Sequence, residues 1–307
     1  VALIFFGTPG FAVPSLEALL SAGEAVGLVV TQPDKVKGRG HVLSPPQVKE
    51  RALSAGLRVL QPRKIRDEAL IREIQETGPE FIVVVAFGRI LPSEILSIPQ
   101  GGCINVHASL LPKYRGAAPV QWALLKGEKV TGVTTMRMDE GLDTGDVLLR
   151  TEIEISDDDT AETLGERLSL AGARLLLETL SGLRNGSVVP TPQAGEPSYA
   201  PPLNKEDGRI DWSKSAEELS FFVRAMHPWP SAFCYLGGER LRIVEATPLE
   251  GRSVPGMIEK ASQGEFLAGT GLGLLRIKTL QPEGRKIMPA AAFLAGRSIR
   301  EGREKLA

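Results

Sequence analysis

At 307 residues the chain is longer than a usual domain of about 100–200 residues, which predicts two domains. Hydrophobic residues make up 42% and charged residues 24%, and no apolar run nears the roughly 18 residues of a membrane span, so a membrane-embedded chain is excluded. The net charge of −1 excludes nucleic-acid binding by bulk attraction alone, although residues 205–307 carry 16 Lys/Arg against 13 Asp/Glu, a mild basic surplus.

The opening Val1–Phe6 is short, has no basic residue before it and runs into a glycine turn; it reads as a buried strand and not as a secretory signal. With Ala25–Thr31, Phe81–Phe87 and Gly102–Val106 it forms a set of apolar, β-branched runs suited to strands covered on both faces. Between them Pro14–Ala22, Pro46–Ala55, Asp67–Thr77 and Ala117–Lys126 repeat apolar residues at three and four, which predicts helices, each with a glycine just beyond it. The alternation predicts an α/β domain, a Rossmann-like, mostly parallel sheet with helices on both faces, in which ligands sit beyond the carboxyl ends of the strands. Gly7-Thr8-Pro9-Gly10 lacks the Gly-x-Gly-x-x-Gly pattern, and Pro9 removes a backbone donor, so it reads as a turn and not as a dinucleotide site. Thr31–Pro46 is a long glycine-bearing loop carrying Lys35, Lys37 and Arg39 on the ligand side; its plain alternative is a solvated charged loop.

A hairpin-like pair follows, Gly132–Met138 and Asp146–Ile155, joined by residues 139–145, then an amphipathic helix from about Thr160 to Leu183. Residues 185–204 hold five prolines and almost no helical period, the composition of a linker. Beyond it one helix, Ala216–Ala225, and the alternating runs Ala232–Tyr235, Leu241–Ala246, Gly256–Lys260 and Leu272–Leu280 predict a smaller OB-like β-barrel. The expected division is therefore 1–184, a linker 185–204, and 205–307. Cys103 and Cys234 stand far apart, with neither a disulfide framework nor a zinc spacing, which fits a reducing, cytoplasmic setting.

Asn105 and His107 stand two apart at the end of a predicted strand and so project from one face at the ligand edge. An amide and an imidazole side by side can both donate to a developing oxyanion; equally, polar strand-end residues can satisfy neighbouring backbone groups. Asp143 is open to the same two readings, an acid at the site or a turn residue bonding its own backbone.

Asn105, His107, the run Ser109-Leu110-Leu111-Pro112-x-x-Arg115-Gly116, and Gly141-Leu142-Asp143-Thr144-Gly145 together resemble the folate-dependent formyltransferase family. Phe6-Gly7-Thr8-Pro9, Gln32-Pro33-Asp34-Lys35, Val84–Pro92 and Pro228-Trp229-Pro230 extend the resemblance over nearly the whole chain. It implies 10-formyltetrahydrofolate as formyl donor, no metal, and Asn105, His107 and Asp143 as the catalytic trio. It implies folate contacts from Ser109, Leu110, Leu111 and Pro112. For the acceptor it implies initiator methionyl-tRNA, with Arg39 entering at a weakened first base pair and Lys35 and Lys37 beside it. The tail residues Lys278, Arg285 and Lys286 are expected to track RNA phosphates or to form a solvated face. An amino-sugar nucleotide or a glycinamide ribonucleotide is the alternative acceptor, since the trio and folate motif serve those as well. The protein is expected to act as a monomer.

Overall fold

The computed structural model of the chain describes residues 2–37 and 42–307. Contacts divide it into two compact units: residues 1–119, 130–154 and 165–200 make one, and residues 120–129, 155–164 and 201–307 the other.

The strands of the first unit are β1 (Leu3–Gly7), β2 (Val26–Val30), β3 (Lys35–Lys37), β4 (Val42–Ser44), β5 (Val59–Leu60), β6 (Ile82–Val85), β7 (Cys103–His107), β8 (Arg115–Gly116), β9 (Val130–Arg137), β10 (Val147–Glu154) and β11 (Tyr199–Ala200). The helices up to this point in the chain are α1 (Val13–Ser21), α2 (Gln47–Ser54), α3 (Glu68–Thr77), α4 (Ser93–Leu96), α5 (Pro119–Leu125) and α6 (Ala161–Asn185). Seven strands form one sheet in the order β10-β9-β7-β6-β1-β2-β5. From β7 to β5 every pairing is parallel, and β9 and β10 add an antiparallel edge.

Every residue of β1 and β6 is buried, as expected of parallel strands with both faces covered. Ile4, Phe6, Leu28, Val30, Ile82 and Val84 share one core with Leu70 and Ile74 of α3. Asp67 caps α3 by accepting the Ala69 N–H, and Gly78 ends it in the left-handed region. On the opposite face α6 approaches β7 so closely that a Cβ at Gly172 would lie 2.8 Å from the Val106 side chain. The chain runs outward from β1 through β2 to β5 and then returns to β6 and β7 on the other side of β1, so the strand order reverses between β1 and β6. The turns at the carboxyl ends are bonded to each other there: the Thr8 hydroxyl (3.3 Å) and the Gln32 amide (2.8 Å) both donate to the Phe87 carbonyl.

The second unit holds α7 (Ala216–Met226), β12 (Ala232–Leu236), β13 (Glu239–Leu249), β14 (Ile258–Ser262), β15 (Glu265–Gly269), β16 (Leu274–Pro282), β17 (Met288–Pro289) and α8 (Ala290–Leu294). Its antiparallel sheet has the order β12-β13-β16-β15-β14, with β17 on β16. The last residues join its two edges. Ala307 exchanges backbone bonds with Tyr235 at the end of β12, while the Leu306 N–H donates to Gly256 and Glu304 accepts from Ile258 at the start of β14. That closure makes a small barrel and leaves neither edge strand open. Leu219, Val223 and Met226 of α7 pack into its core against Leu241, Ile243, Ile258, Phe266 and Ile277, and α7 opens with a reciprocal capping box between Ser215 and Glu218.

The proline-rich stretch with a linker's composition is partly bonded into the first unit. Thr191 and Val147 exchange backbone hydrogen bonds (2.8 and 2.9 Å), and β11 pairs with β8 in parallel. Prolines forbid regular helix but keep their carbonyls, and the residues between them keep their donors. Among the described residues no helix is long and apolar enough to cross a membrane.

Candidate active site

β7 delivers Asn105 and His107 at its carboxyl end, and the turn between β9 and β10 delivers Asp143 from 38 residues away in sequence. Asp143 sits at φ 53°, in the left-handed region that aspartate tolerates in turns better than most non-glycine residues do. Its Oδ2 accepts the Gly116 N–H at 2.8 Å, and its Oδ1 accepts from the Asn105 amide at 3.4 Å. His107 Nδ1 lies 3.6 Å from Oδ2, an ion-pair separation too long for a direct hydrogen bond. On the other side of the ring, Nε2 is 2.9 Å from the Tyr114 carbonyl. A carbonyl only accepts, so this nitrogen carries a proton. His107 is 6% exposed and Asp143 14%, so both lie at a largely desolvated edge where charge interactions are stronger than in water.

The segment after β7 is tightly tied. Ser109 is buried; its hydroxyl donates to the Lys113 carbonyl at 2.6 Å and its own carbonyl accepts from Thr134 at 2.7 Å. The Thr134 oxygen in turn accepts the Leu111 N–H. Leu111 and Pro112 are buried, and Leu110 is the partly exposed member of the four. The chemistry this segment can offer a ligand is therefore the shape of the turn and the Leu110 side chain, with the Ser109 hydroxyl already committed inside it.

At the end of β2, Lys35 and Lys37 fall on β3, which pairs with β4 as an antiparallel hairpin, and Lys35 is exposed. Arg39 lies outside the described residues. The base of the hairpin is fixed by Asp34, whose carboxylate accepts from Lys49 (2.8 and 2.9 Å) and from the Gln61 amide (2.7 Å). The Lys49 bond and then the Gln61 bond hold the Asp34 carboxyl below its usual range.

Three site groups carry no signal in a periodicity or a motif, the Tyr114 carbonyl, the Thr134 hydroxyl and the Gln193 side chain, whereas the Gly116 N–H belongs to the Ser109–Gly116 run. Gly116 alone has a local signature, being a glycine that must be one. Its φ is 122°, and a Cβ there would come within 2.7 Å of the Ala200 carbonyl oxygen.

In the second unit, Lys278 pairs with Glu245 at 3.1 Å, whereas Arg285 and Lys286 are exposed. The sheet also presents a basic, aromatic face. Arg240 lies 3.8 Å over the Phe233 ring and Arg209 5.9 Å from that of Tyr235, while Arg242 donates to the neutral groups Gln281, Ser231 and the Pro228 carbonyl. Among the described residues no carboxylate pairs with Arg240 or Arg242. Burial and then the neighbouring Arg240 pull the Arg242 guanidinium below its ordinary range. Both cysteine thiols are buried and pushed up to about 12 by desolvation, which makes them inert. No group of three His, Cys, Asp or Glu side chains among the described residues could hold a metal ion.

The sequence model described as formyl transferase matches residues 1–180, more than half of the chain, and that of the formyl transferase C-terminal domain matches residues 202–298. The chain belongs to the formyl transferase family. Within it, the chain is 57% identical over 300 residues to a methionyl-tRNA formyltransferase of Thermodesulfovibrio yellowstonii, covering 98% of this chain and 97% of the relative. A methionyl-tRNA formyltransferase of Desulfotalea psychrophila is 50% identical over 97% of this chain and 93% of its own. Among solved structures, an N-formyltransferase of Helicobacter canadensis in complex with folinic acid and dTDP-3-aminofucose superposes with a TM-score of 0.68 at 21% identity, over 90% of this chain and 97% of that one. At that identity the likeness speaks for the fold and not for the acceptor.

Proposed function

We propose that the protein transfers the formyl group of 10-formyltetrahydrofolate to the free amino group of methionyl-initiator tRNA, giving N-formylmethionyl-tRNA for translation initiation in the cytoplasm. The observation that carries this reading is the meeting of Asn105, His107 and Asp143 at the carboxyl edge of the parallel sheet. The full-length likeness to relatives named for this reaction supports the choice of acceptor.

Formyl transfer between nitrogens passes through a tetrahedral carbon bearing an oxyanion. The Asn105 amide has two N–H bonds; one points to Asp143, and the second is the donor for the oxyanion. The attacking amine sheds a proton as the carbon–nitrogen bond forms, and the departing folate nitrogen takes one up as its bond breaks. His107 and Asp143 handle these protons, with Asp143 held in place by the Gly116 N–H and His107 anchored through Nε2 on Tyr114. The turn from Ser109 to Pro112 supplies folate contacts, chiefly as a shaped wall.

Residues 1–184 carry the transfer chemistry and residues 205–307 the RNA contacts, the latter through the Arg240–Arg242 face and the exposed Arg285 and Lys286. Arg39, with Lys35 and Lys37, meets the acceptor end. The protein works as a monomer, which light scattering at assay concentration checks. The deciding experiment compares initiator methionyl-tRNA, elongator methionyl-tRNA, free methionine and an amino-sugar nucleotide as formyl acceptors. Preference for the initiator RNA is expected; preference for the sugar nucleotide refutes the acceptor assignment.

A further inference from the structure

The stretch from Gln193 to Ala200 touches the site from both sides. The Gln193 side-chain amide donates to the Asp143 carbonyl (2.8 Å) and to the Gly145 carbonyl (2.8 Å). Its oxygen accepts two bonds from the Arg115 guanidinium, at 2.7 and 3.2 Å. The orientation of the amide is set by this surrounding: turned over, its oxygen would face two carbonyls and its NH2 a guanidinium. Five residues on, the Ser198 hydroxyl accepts the Tyr114 N–H, the Ser198 carbonyl accepts the Arg115 N–H, and the Ala200 carbonyl accepts from Ala117. The two left-handed residues flanking the His107 ring, Asp143 (φ 53°) and Tyr114 (φ 60°), are thus both fastened by this one segment.

We propose that Gln193 is a positioning residue for formyl transfer, bridging Arg115 to the Asp143 turn and so fixing the Asp143 carboxylate against Asn105 and His107. The proposal rests on the reading of Asp143 as part of the catalytic trio. Its physical basis is that the Asp143 and Gly145 carbonyls of this turn both accept from the one Gln193 amide. A turn whose carbonyls lose their donors rearranges to find others, and the carboxylate at its tip then moves relative to β7. Gln193 satisfies two carbonyls of that turn at once, which a shorter side chain or an acid cannot do. Placement errors of about 1 Å at a reacting centre cost up to about a hundredfold in rate, so the effect belongs in the chemical step and not in substrate capture.

The test uses the full chain carrying Gln193→Glu, which keeps the acceptor for Arg115 and removes both donors to the turn. Asp143→Asn and the double variant run in parallel, and Gln193→Asn serves as a second substitution should the glutamate variant fail to fold. The expected result is a fall in kcat of about tenfold or more, with KM for the formyl donor and for the charged RNA within about twofold. On the Asp143→Asn background the same change is expected to add less than about twofold, because two residues acting through one carboxylate are not additive. A normal kcat in both Gln193 variants, beside a crippled Asp143→Asn, overturns the positioning role and leaves the trio standing. Full additivity in the double variant overturns it as well, and so does a rise in KM with kcat unchanged. An active Asp143→Asn removes the trio reading and this proposal together.

Discussion

The two polar regions of the molecule are built on opposite terms. At the candidate active site the charged and polar groups already have protein partners: Asp143 has Gly116 and Asn105, His107 has Tyr114, Ser109 has Lys113, and Gln193 uses all four of its bonding positions. On the barrel face, Arg240 and Arg242 are held by rings and neutral oxygens, with like charge as their neighbour. The first arrangement has its dipoles oriented by protein partners, which is the condition for stabilising charge by preorganisation. The second leaves positive potential uncompensated, which a polyanion relieves. What separates the two regions is charge: the Asp143 carboxylate faces His107, while Arg240 and Arg242 have no carboxylate partner among the described residues.

Each half of that contrast can be broken separately. The largest effect is expected at the site. Asn105→Ala and His107→Ala should each lower the single-turnover transfer rate by about a hundredfold or more, with donor binding and the salt dependence of RNA binding unchanged. A rate within a few fold of the parent for both would end the catalytic reading of these side chains.

Next in size is Arg39→Leu. It should cost about 1–3 kcal/mol against initiator RNA and less against elongator RNA, shrinking the discrimination between them. Comparing kcat/KM for the two RNAs checks this, and an equal loss on both would turn Arg39 into a phosphate contact.

A smaller and differently shaped effect belongs to the barrel face. Arg242→Gln keeps hydrogen-bonding capacity while removing charge. It should weaken charged-RNA binding a few fold, flatten the plot of log affinity against log salt by about one, and spare kcat at saturating RNA. An unchanged slope would show that the face does not meet RNA.

The smallest effect is on stability, and it sharpens the contrast by using charges compensated inside the first unit. Arg184 forms paired bonds to Glu24 (2.6 and 2.8 Å) and reaches Glu80. The hydrogen bond to Arg184, opposed by burial, leaves the Glu24 carboxyl below its ordinary range. A lowered carboxyl contributes stability that is full above the ordinary glutamate range and disappears as pH falls through the lowered value. Glu24→Gln should therefore lower the thermal midpoint near neutrality by the equivalent of about 1 kcal/mol or less, the pair being partly exposed. The difference should vanish in acid, and a difference persisting there would assign the loss to packing.

The first unit was legible because its signals are local. Burial on both faces made β1, β2 and β6 near-continuous apolar runs, and β7 one that turns polar at Asn105 and His107, while α3 announced itself through Asp67 and Gly78. The hairpin of β3 and β4, the two-residue β5, β8 and β11, and the short α4 were not legible, because two to four residues establish no period. The barrel's strands could be read from their alternation, but its closure could not. Residues 304–307 join β12 to β14 through backbone groups, which carry no side-chain signature.

For the site, the sequence alone determined that Asn105 and His107 share a face at a strand end, since alternation along a strand is fixed by its geometry. It also placed Asp143 in a turn between two strands. What only the tertiary structure decided is which groups that aspartate meets. Gly116 lies 27 residues before it and Gln193 50 after it, and both arrive through the crossing of separate loops. Periodicity and composition report how a segment relates to its own axis and to water; a hydrogen bond between distant loops depends on where the whole sheet carries their ends. That is why a stretch composed like a linker could hold the side chain that grips the Asp143 turn.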